Sequence, residues 1–571
     1  MIDLKDSLPA VVGNPLTTQP FHYSLLQDAH IRLVHLDVGT RNDALSIQVQ
    51  ENVKLETVSP YEALSYTWGD SKKECSISCG SESIAITANL AAALLQLRNP
   101  AKTRALWIDQ ICINQDDVDE RNKQVALMRK IYSKAENVVI WLGEEGPDDE
   151  MAFRFVPVLL SHLPPLSASY GGVARQGLVA RQALPILGSP AWIALSRIFS
   201  RPYFRRSWIV QEVALARHAV VHCGPHVIDW DLLAAASSYQ MGQLPSDAEN
   251  AHDAVAAIME FHRNDHGQGN NIVDALFMSY RFNCTDPRDK VFAMLGLAKA
   301  LVLQPAYSAK VEDVYLHTTQ FLILEFGNLD ILCCVSHPKN IATLPSWVPD
   351  WQAQVAVKSK LGKSTVRAPD APRQQVRYSD DYRTLTVEGW CVASIATVAN
   401  VFARHESGLL VGWDEFVEET IPPDGRCSTE LYRRTLLAGE RLPGITSDEE
   451  LHSAYEAWQN LLTRRLGGYK PLTNLPDENE KGSEFDRTMT ETCTGRRLFA
   501  TAQHNLGLAP SEARAGDAVC FLGNSSTPFV LRPRGSYFEF VGESYVNGFV
   551  EEGHPLSQLT RKENKREFAI R

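Results

Sequence analysis

Three short apolar runs between residues 60 and 145 alternate with helical patterns, and they limit the fold more than any other part of the sequence. The runs are Glu62-Ala-Leu-Ser-Tyr-Thr-Trp-Gly69, Ala105-Leu-Trp-Ile-Asp-Gln-Ile-Cys-Ile113 and Asn137-Val-Val-Ile-Trp-Leu-Gly143. Near-continuous apolar strands separated by helices are typical of a parallel sheet covered on both faces. The sequence therefore predicts an α/β fold, with a mainly parallel sheet and flanking helices.

Local patterns add detail to this unit. Two short alternating pieces around Gly80-Ser81 predict a hairpin, and Thr87 is placed to cap a helix that runs through Leu97. A longer helix is predicted from Asp119 to Ala135. Apolar residues recur in it at spacings of three and four, which indicates one face on the sheet and one in water. A strand over residues 137–142 should follow it.

The remainder of the chain divides by composition and turn signals. The predicted parts are an N-terminal extension (1–60), the α/β unit (61–226), a mostly helical middle region (227–345), a linker or mobile loop (346–377), a β-rich region with antiparallel strands (378–555) and a charged tail (556–571).

Charge and cysteine usage exclude several classes of protein. The 571 residues carry 68 acidic and 56 basic side chains, a net charge of −12 without long runs of one sign, which disfavours nucleic acid as the main ligand. An acidic start and the lack of an apolar run of ~18 residues predict a cytoplasmic protein without a membrane span. The 11 scattered cysteines do not form a disulfide framework, and no metal site is predicted from them.

One group of polar side chains in the α/β unit could carry chemistry. Asp109 interrupts an apolar run, Asn114 and Gln115 follow it, and Glu120 and Gln124 begin the next helix. In a parallel sheet the strand carboxyl ends and the helices that leave them form the ligand crevice, so these residues are expected to line one pocket. A carboxylate there could take a proton or stabilise a cationic sugar during glycoside cleavage.

Structural readings of the same residues stay open at this point. Asp109 could accept backbone hydrogen bonds only, and Glu120 could serve only the helix dipole. Glu212 could face the same crevice or hold its helix in place.

Several segments match a known pattern in order along the chain. They are Tyr61-Glu-Ala-Leu-Ser-Tyr-Thr-Trp-Gly-Asp70, Leu106-Trp-Ile-Asp-Gln-Ile-Cys-Ile-Asn-Gln-Asp-Asp117, Glu120-Arg121, Gln124-Val125 and Arg201-Pro-Tyr-Phe-Arg-Arg-Ser-Trp-Ile-Val-Gln-Glu212. These closely resemble the fungal heterokaryon incompatibility (HET) domain over roughly residues 61 to 216. Later segments, including Asp286-Pro-Arg-Asp-Lys-Val-Phe-Ala-Met-Leu-Gly296, resemble the long form of these proteins.

The resemblance implies a role in non-self recognition and programmed cell death when genetically different fungal cells fuse. The HET family is also regarded as distantly similar to Toll/interleukin-1 receptor (TIR) domains, which have a flavodoxin-like α/β fold and in some members cleave NAD through a glutamate. By this resemblance Glu120 is the catalytic candidate, with Arg121 in the same motif. Trp208, Gln211 and Glu212 resemble a later motif helix of the TIR domain.

Two hypotheses follow from the resemblance. In the first, NAD is a substrate: Glu120 balances the ribosyl cation as nicotinamide departs, Asp109, Asn114, Gln115 and Gln124 bind substrate, and Trp68 offers a stacking face. In the second, the α/β unit is a non-catalytic signalling module. It would form a homo-oligomer or bind an incompatibility partner protein, and its polar residues would only satisfy buried backbone groups.

Overall fold

The computed structural model describes two compact units, residues 1–310 and 311–571. The residues described are 19–69, 72–161, 184–185, 188–237, 255–262, 271–298, 303–353, 361, 374–402, 412–421, 426–466, 478–523, 525, 527–547, 549 and 565–571.

A mixed sheet forms the centre of the first unit. Its described strands are β1 (Gln19–Pro20), β2 (His30–Leu36), β3 (Ser46–Lys54), β4 (Glu62–Tyr66), β5 (Cys75–Cys79), β6 (Glu82–Ile86), β7 (Arg104–Trp107), β8 (Asn137–Trp141), β9 (Ala219–Cys223) and β10 (His226–Asp229). They lie in the order β1-β6-β5-β3-β2-β7-β4-β8-β9-β10. β7, β4, β8 and β9 pair in parallel, whereas β5–β6 and β9–β10 are antiparallel hairpins. The predicted α/β sheet is confirmed, with a parallel centre.

Helices cover this sheet and continue into the middle region. They are α1 (Ala88–Leu97), α2 (Asp109–Cys112), α3 (Val118–Lys134), α4 (Asp149–Ser161), α5 (Pro190–Phe199), α6 (Trp208–Ala214), α7 (Trp230–Ser237), α8 (255–262), α9 (Ile272–Met278) and α10 (Asp289–Leu295). Thr87 caps α1 as predicted, because its hydroxyl accepts the Leu90 N–H. The Asp117 carboxylate caps α3 by accepting the N–H groups of Asp119 and Glu120. The predicted apolar face of α3 is buried.

Two features of the first unit differ from the prediction. The apolar run 105–113 is not one strand: β7 ends at Trp107, and Asp109 begins the short helix α2. A short buried helix and a buried strand have the same apolar pattern, so periodicity does not separate them. The sheet also extends into the predicted N-terminal extension, since β2 pairs with β7 and aligns Val34 with Leu106.

The second unit contains an antiparallel sheet that closes on itself. Its described strands are β11 (Val376–Tyr378), β12 (Leu385–Val401), β13 (Arg496–Thr501), β14 (Leu506–Pro510), β15 (Ala518–Leu522), β16 (Phe529–Arg534), β17 (Tyr537–Glu543), β18 (Tyr545–Val546) and β19 (Arg566–Ile570). β15, β16, β17, β19 and β12 are neighbours in that order, and an additional β12–β15 pairing closes these five strands into a ring. Except for one β17–β19 pair, the ring is antiparallel, which confirms the predicted strand arrangement.

The second unit also differs from the prediction in three places. Helices α12 (Trp413–Thr420), α13 (Arg426–Leu436), α14 (Asp448–Leu466) and α15 (Glu478–Cys493) lie between β12 and β13, within the predicted β-rich region. β19 comes from the predicted charged tail. The predicted mobile loop begins with the buried Trp347 and Trp351, and its residues 354–360 and 362–373 lie outside the described residues. Helix α11 (Val311–Phe326) opens the unit.

A search of the described helices for a membrane-crossing segment finds none with the required length and apolar character.

Candidate functional site

Glu120, the predicted catalytic residue, is engaged in a buried ion pair with Arg32. Arg32 Nη1 lies 2.6 Å from Glu120 Oε1, and Nη2 lies 3.0 Å from Oε2. The Asn114 N–H also donates to Oε1, at 2.7 Å. Only 7% of Glu120 and none of Arg32 is exposed. Both carboxylate oxygens are therefore satisfied from inside the protein.

Arg32 satisfies its remaining donors on neighbouring segments. Its guanidinium donates to the carbonyl oxygens of Ser24 and Cys112, and its Nε donates to Glu51 at 3.0 Å. Arg32 thus joins β2 to the start of α3 and to the end of α2. Sequence reasoning missed this residue, although an arginine inside the apolar run His30-Ile-Arg-Leu-Val-His-Leu36 signals a buried partner of opposite charge.

Asp109 has a different set of partners from Glu120. The Trp68 indole Nε1 donates to its Oδ2 at 2.9 Å, and the Gln110 N–H donates to its Oδ1 at 2.7 Å. The Gln115 amide donates to the Asp109 carbonyl at 2.8 Å. Since β4 and β7 are parallel neighbours, Trp68 and Asp109 follow their carboxyl ends at one edge of the sheet. Trp68, Asp109 and Gln115 are each partly exposed there.

Charged groups from the region before β9 stand beside Asp109. Glu212, on α6, is 2% exposed and accepts a hydrogen bond from the Ser65 hydroxyl of β4. Arg206 donates to the carbonyl of Tyr66 and acts electrostatically on both Asp109 and Glu212. We call Trp68, Asp109, Gln115, Arg206 and Glu212 the strand-end cluster.

Burial sets the protonation behaviour of the two carboxyl groups in this cluster. Burial raises the pKa of Glu212 to about 7, although the Arg206 guanidinium opposes that change. Burial also raises the pKa of Asp109, against the opposing effects of Arg206 and the Trp68 hydrogen bond. A carboxyl group with a pKa near 7 can exchange a proton at neutral pH.

The predicted binding residues are thus divided between two places. Trp68, Asp109 and Gln115 come together, and Glu212 joins them from α6. Asn114 and Gln124 lie with Glu120 instead: the Asn114 backbone donates to Glu120, and the Gln124 amide donates to the His30 carbonyl at 2.8 Å. The single pocket expected from the sequence is replaced by a partly exposed cluster and a buried ion pair.

The motif residues Arg121 and Trp208 belong to a third polar group. The Arg121 guanidinium lies 4.1 Å from the centroid of the Tyr307 ring, and Tyr307 Oη donates to Asp289 Oδ1 at 2.5 Å. The Trp208 side chain also hydrogen-bonds Asp289. This group joins α3 and α6 to α10.

Gln211 fills the space against the end of α10. A Cβ atom added to Gly296 would stand only 2.3 Å from its side chain. Gln211 is therefore a packing residue in this structure. Among the described residues, no three His, Cys, Asp or Glu side chains are grouped as metal ligands.

Comparison with known proteins confirms the resemblance read from the motifs. Residues 61–212 match the heterokaryon incompatibility protein (HET) family, and residues 472–570 match the Het-6 β-barrel domain. The chain is 25% identical to heterokaryon incompatibility protein 6, OR allele, of Neurospora crassa, over 86% of this chain and 89% of that protein. No solved structure matches the chain. These matches support a role in fungal non-self recognition.

Proposed function

We propose that this chain triggers programmed cell death during fungal non-self recognition, because residues 61–212 match the HET family and residues 472–570 match the Het-6 β-barrel domain. The first unit would be the effector, because it contains the matched HET segment and the strand-end cluster. We further propose that the effector reaction is cleavage of NAD, with NAD as substrate and no resident cofactor.

One observation supports this chemistry above the others: the carboxylate of Asp109, a partly exposed residue, is held by the Trp68 indole at the carboxyl ends of two parallel strands. That edge is where ligands bind in sheets of this class. Cleavage of the bond between ribose and nicotinamide leaves a ribosyl group with cationic character, which a fixed carboxylate stabilises. Nicotinamide departs as a neutral base, so the reaction needs no acid on the leaving group.

The neighbouring charges suit Asp109 to this role. Arg206 opposes the rise in the pKa of Asp109 and so favours its ionised form, while burial raises the pKa of Glu212 to about 7. When Glu212 is protonated, Arg206 is left as a counter-ion for Asp109 alone. Two carboxyl groups in unequal environments commonly divide their roles in this way.

Glu120 takes a supporting part in the proposal. Its oxygens are bound by Arg32 and by the Asn114 N–H, and contact with a substrate would require these bonds to break inside the protein. Its hydrogen bonds instead fix the loop that carries Gln115 and connects Asp109 to α3. The catalytic carboxylate proposed here is therefore Asp109, in place of the residue favoured by the TIR resemblance.

The experiment is to incubate the purified full chain with NAD over a range of protein concentrations and to measure released nicotinamide by chromatography. Release above that of a heat-denatured sample supports the enzyme. If the chain releases no nicotinamide at any concentration while its expression still kills cells, the NAD part of the proposal is wrong and the death-signalling part stands.

A non-catalytic signalling module is the second candidate. It is favoured by the internal bonding of the motif residues: Glu120 pairs with Arg32, while Arg121 and Trp208 contact the Tyr307–Asp289 pair. Such a module would act by self-assembly or by binding an incompatibility partner protein. Light scattering across the same concentration series distinguishes the two, because assembly with cell death but without nicotinamide release is the result expected of a module alone.

A further inference from the structure

Cys391 and Cys520 stand opposite each other on two paired strands of the second unit. β12 and β15 are antiparallel, and their register aligns Cys391 directly with Cys520. Opposite residues in antiparallel strands have Cα atoms about 4.5–5.5 Å apart, within the range of about 4.4–6.8 Å that a disulfide spans. The backbone therefore holds the two sulfurs within bonding reach.

The two thiols differ in accessibility. Cys391 is exposed, whereas Cys520 is completely buried. The side chains hydrogen-bond to each other, and Cys391 Sγ lies 3.5 Å from the carbonyl oxygen of Ala393. A reagent in solvent would meet Cys391 first, with Cys520 in contact beneath it.

A cationic side chain lies beside this pair. Arg566 on β19 is aligned with Gly389, two residues before Cys391. The Cys520 hydrogen bond and the Arg566 guanidinium lower the pKa of Cys391 to about 6, while burial raises that of Cys520 far above the usual value for a thiol. Cys391 is thus a thiolate at neutral pH, and the thiolate is the reactive form of cysteine.

We propose that Cys391 and Cys520 form a modification site at which a hydroperoxide generates an intramolecular disulfide. The Cys391 thiolate attacks the terminal peroxide oxygen, the O–O bond breaks, and the hydroxide or alkoxide that leaves is protonated by the buffer. Sulfur is oxidised to sulfenic acid and the peroxide is reduced. The Cys520 sulfur then attacks Cys391 Sγ, the S–S bond forms, the S–O bond breaks, and the Cys520 proton leaves with the hydroxyl as water. A dithiol reductant reverses the modification.

Cys75 and Cys79, which are close in sequence, lack this arrangement. Cys75 and Cys79 lie on one strand, where they align with Ile86 and Glu82 of β6. Burial raises the pKa of both thiols. The new bond would link β12 to β15, the pairing that closes the five-stranded ring.

The test treats the reduced full chain with hydrogen peroxide, blocks remaining thiols with iodoacetamide and analyses tryptic peptides by mass spectrometry. Cys391 and Cys520 fall in separate peptides, residues 384–404 and 515–534, each with a single cysteine. We expect these two peptides to become cross-linked, lighter by two hydrogen atoms than their sum, and to separate after reduction with dithiothreitol. If other cysteine peptides are cross-linked while these two stay apart, the proposal is overturned.

Three variants, one of them a control, and a kinetic measurement complete the test. In Cys520→Ala the Cys391 sulfenic acid should accumulate and react with dimedone, and in Cys391→Ser no cross-link to residues 515–534 should form. Cys79→Ser is the matched control and should leave the cross-link unchanged.

Without peroxide, Cys391 should react with iodoacetamide at pH 7 roughly tenfold faster than Cys79, because a far larger fraction of Cys391 is thiolate. Equal rates, or a Cys391 without sulfenic acid in the Cys520→Ala variant, would contradict the mechanism.

Discussion

The Arg32 guanidinium and the Glu120 carboxylate meet through two contacts inside the first unit, at 2.6 and 3.0 Å. The pair joins β2 to the first turn of α3. β2 lies before the segment that matches the HET family, and α3 lies inside that segment. A glutamate that sequence resemblance assigns to catalysis is therefore tied into the framework of the sheet. Its replacement affects stability as well as any activity, so activity loss alone does not identify its role.

We expect Glu120→Gln to destabilise the first unit strongly. The change leaves the Arg32 charge buried without its main counter-ion, and breaking one side of a buried pair typically costs about 3–5 kcal/mol. Urea unfolding monitored by tryptophan fluorescence measures the loss as a lower midpoint. The control is Asp28→Asn, which removes an exposed pair with Lys123 and should cost less than about 1 kcal/mol. Equal midpoints for Glu120→Gln and wild type would show that the pair contributes no stability.

Asp109→Asn should slow nicotinamide release about 10²–10³-fold while it preserves the fold. The amide oxygen introduced by the substitution can still accept from Trp68 Nε1 or the Gln110 N–H, but the negative charge that would stabilise the ribosyl cation is gone. Loss of one electrostatic stabiliser commonly costs about 10²–10³-fold in rate. The measurement is the rate of nicotinamide release at saturating NAD, with the unfolding midpoint as a check on folding.

The matched control for that variant is Asp116→Asn, which removes an exposed carboxylate close by in the sequence. It should leave the rate within about twofold of wild type, since surface charges act weakly through solvent. A similar loss in both variants would mean that general charge, and not Asp109, governs the rate.

Glu212 should make the stability of the first unit depend on pH. Its pKa is about 7 in the folded chain and near 4.5 without the burial, so the folded state binds the proton more tightly. Its contribution is fully present below pH 4.5 and is lost as the pH rises through about 7. The loss amounts to roughly 3 kcal/mol at most.

Glu212→Gln isolates this contribution, because the amide oxygen can still accept from Ser65 and carries no charge. Between pH 5 and 8, the wild-type midpoint should fall relative to that of the variant. Asp289→Asn is the companion variant, since burial raises the pKa of Asp289 to about 6 and produces a slope of the same sign. Parallel pH profiles for wild type and Glu212→Gln would contradict the assignment to Glu212.

The sequence predicted those elements of the fold that depend on local patterns. The hairpin β5–β6, the Thr87 cap and the buried face of α3 depend on turn residues and on periodicity within a few residues, and they are found as predicted. The strand that was predicted to contain Asp109 ends two residues earlier, because buried strands and buried helical turns look alike in sequence.

The site was less predictable because it depends on distant partners. The strand-end rule places Asp109 in a crevice at one edge of the sheet, and in the structure Trp68 contacts it at that edge. Arg32 is 88 residues before Glu120. It lies on β2, which pairs antiparallel with β7, so the strand-end rule for parallel sheets does not predict its position. Arg206 could not be ranked above other arginines in the same motif, because its position relative to Asp109 and Glu212 is set by tertiary packing.

A fragment that ends at residue 226, the predicted end of the α/β unit, should not fold properly, whereas one that ends at residue 310 should. The longer fragment retains Asp289 and Tyr307, which contact α3 and α6. Arg121 of α3 stacks on the Tyr307 ring, and Trp208 of α6 hydrogen-bonds Asp289. This fragment also keeps the end of α10 against Gln211. In the shorter fragment the surfaces of α3 and α6 that pack on residues 227–310 meet water, and apolar surface exposed in this way favours aggregation. We expect residues 1–310 to be soluble with a cooperative urea transition, and residues 1–226 to bind a hydrophobic dye or precipitate. If both fragments unfold at the same midpoint, the segment 227–310 is dispensable and the unit ends where the sequence predicted.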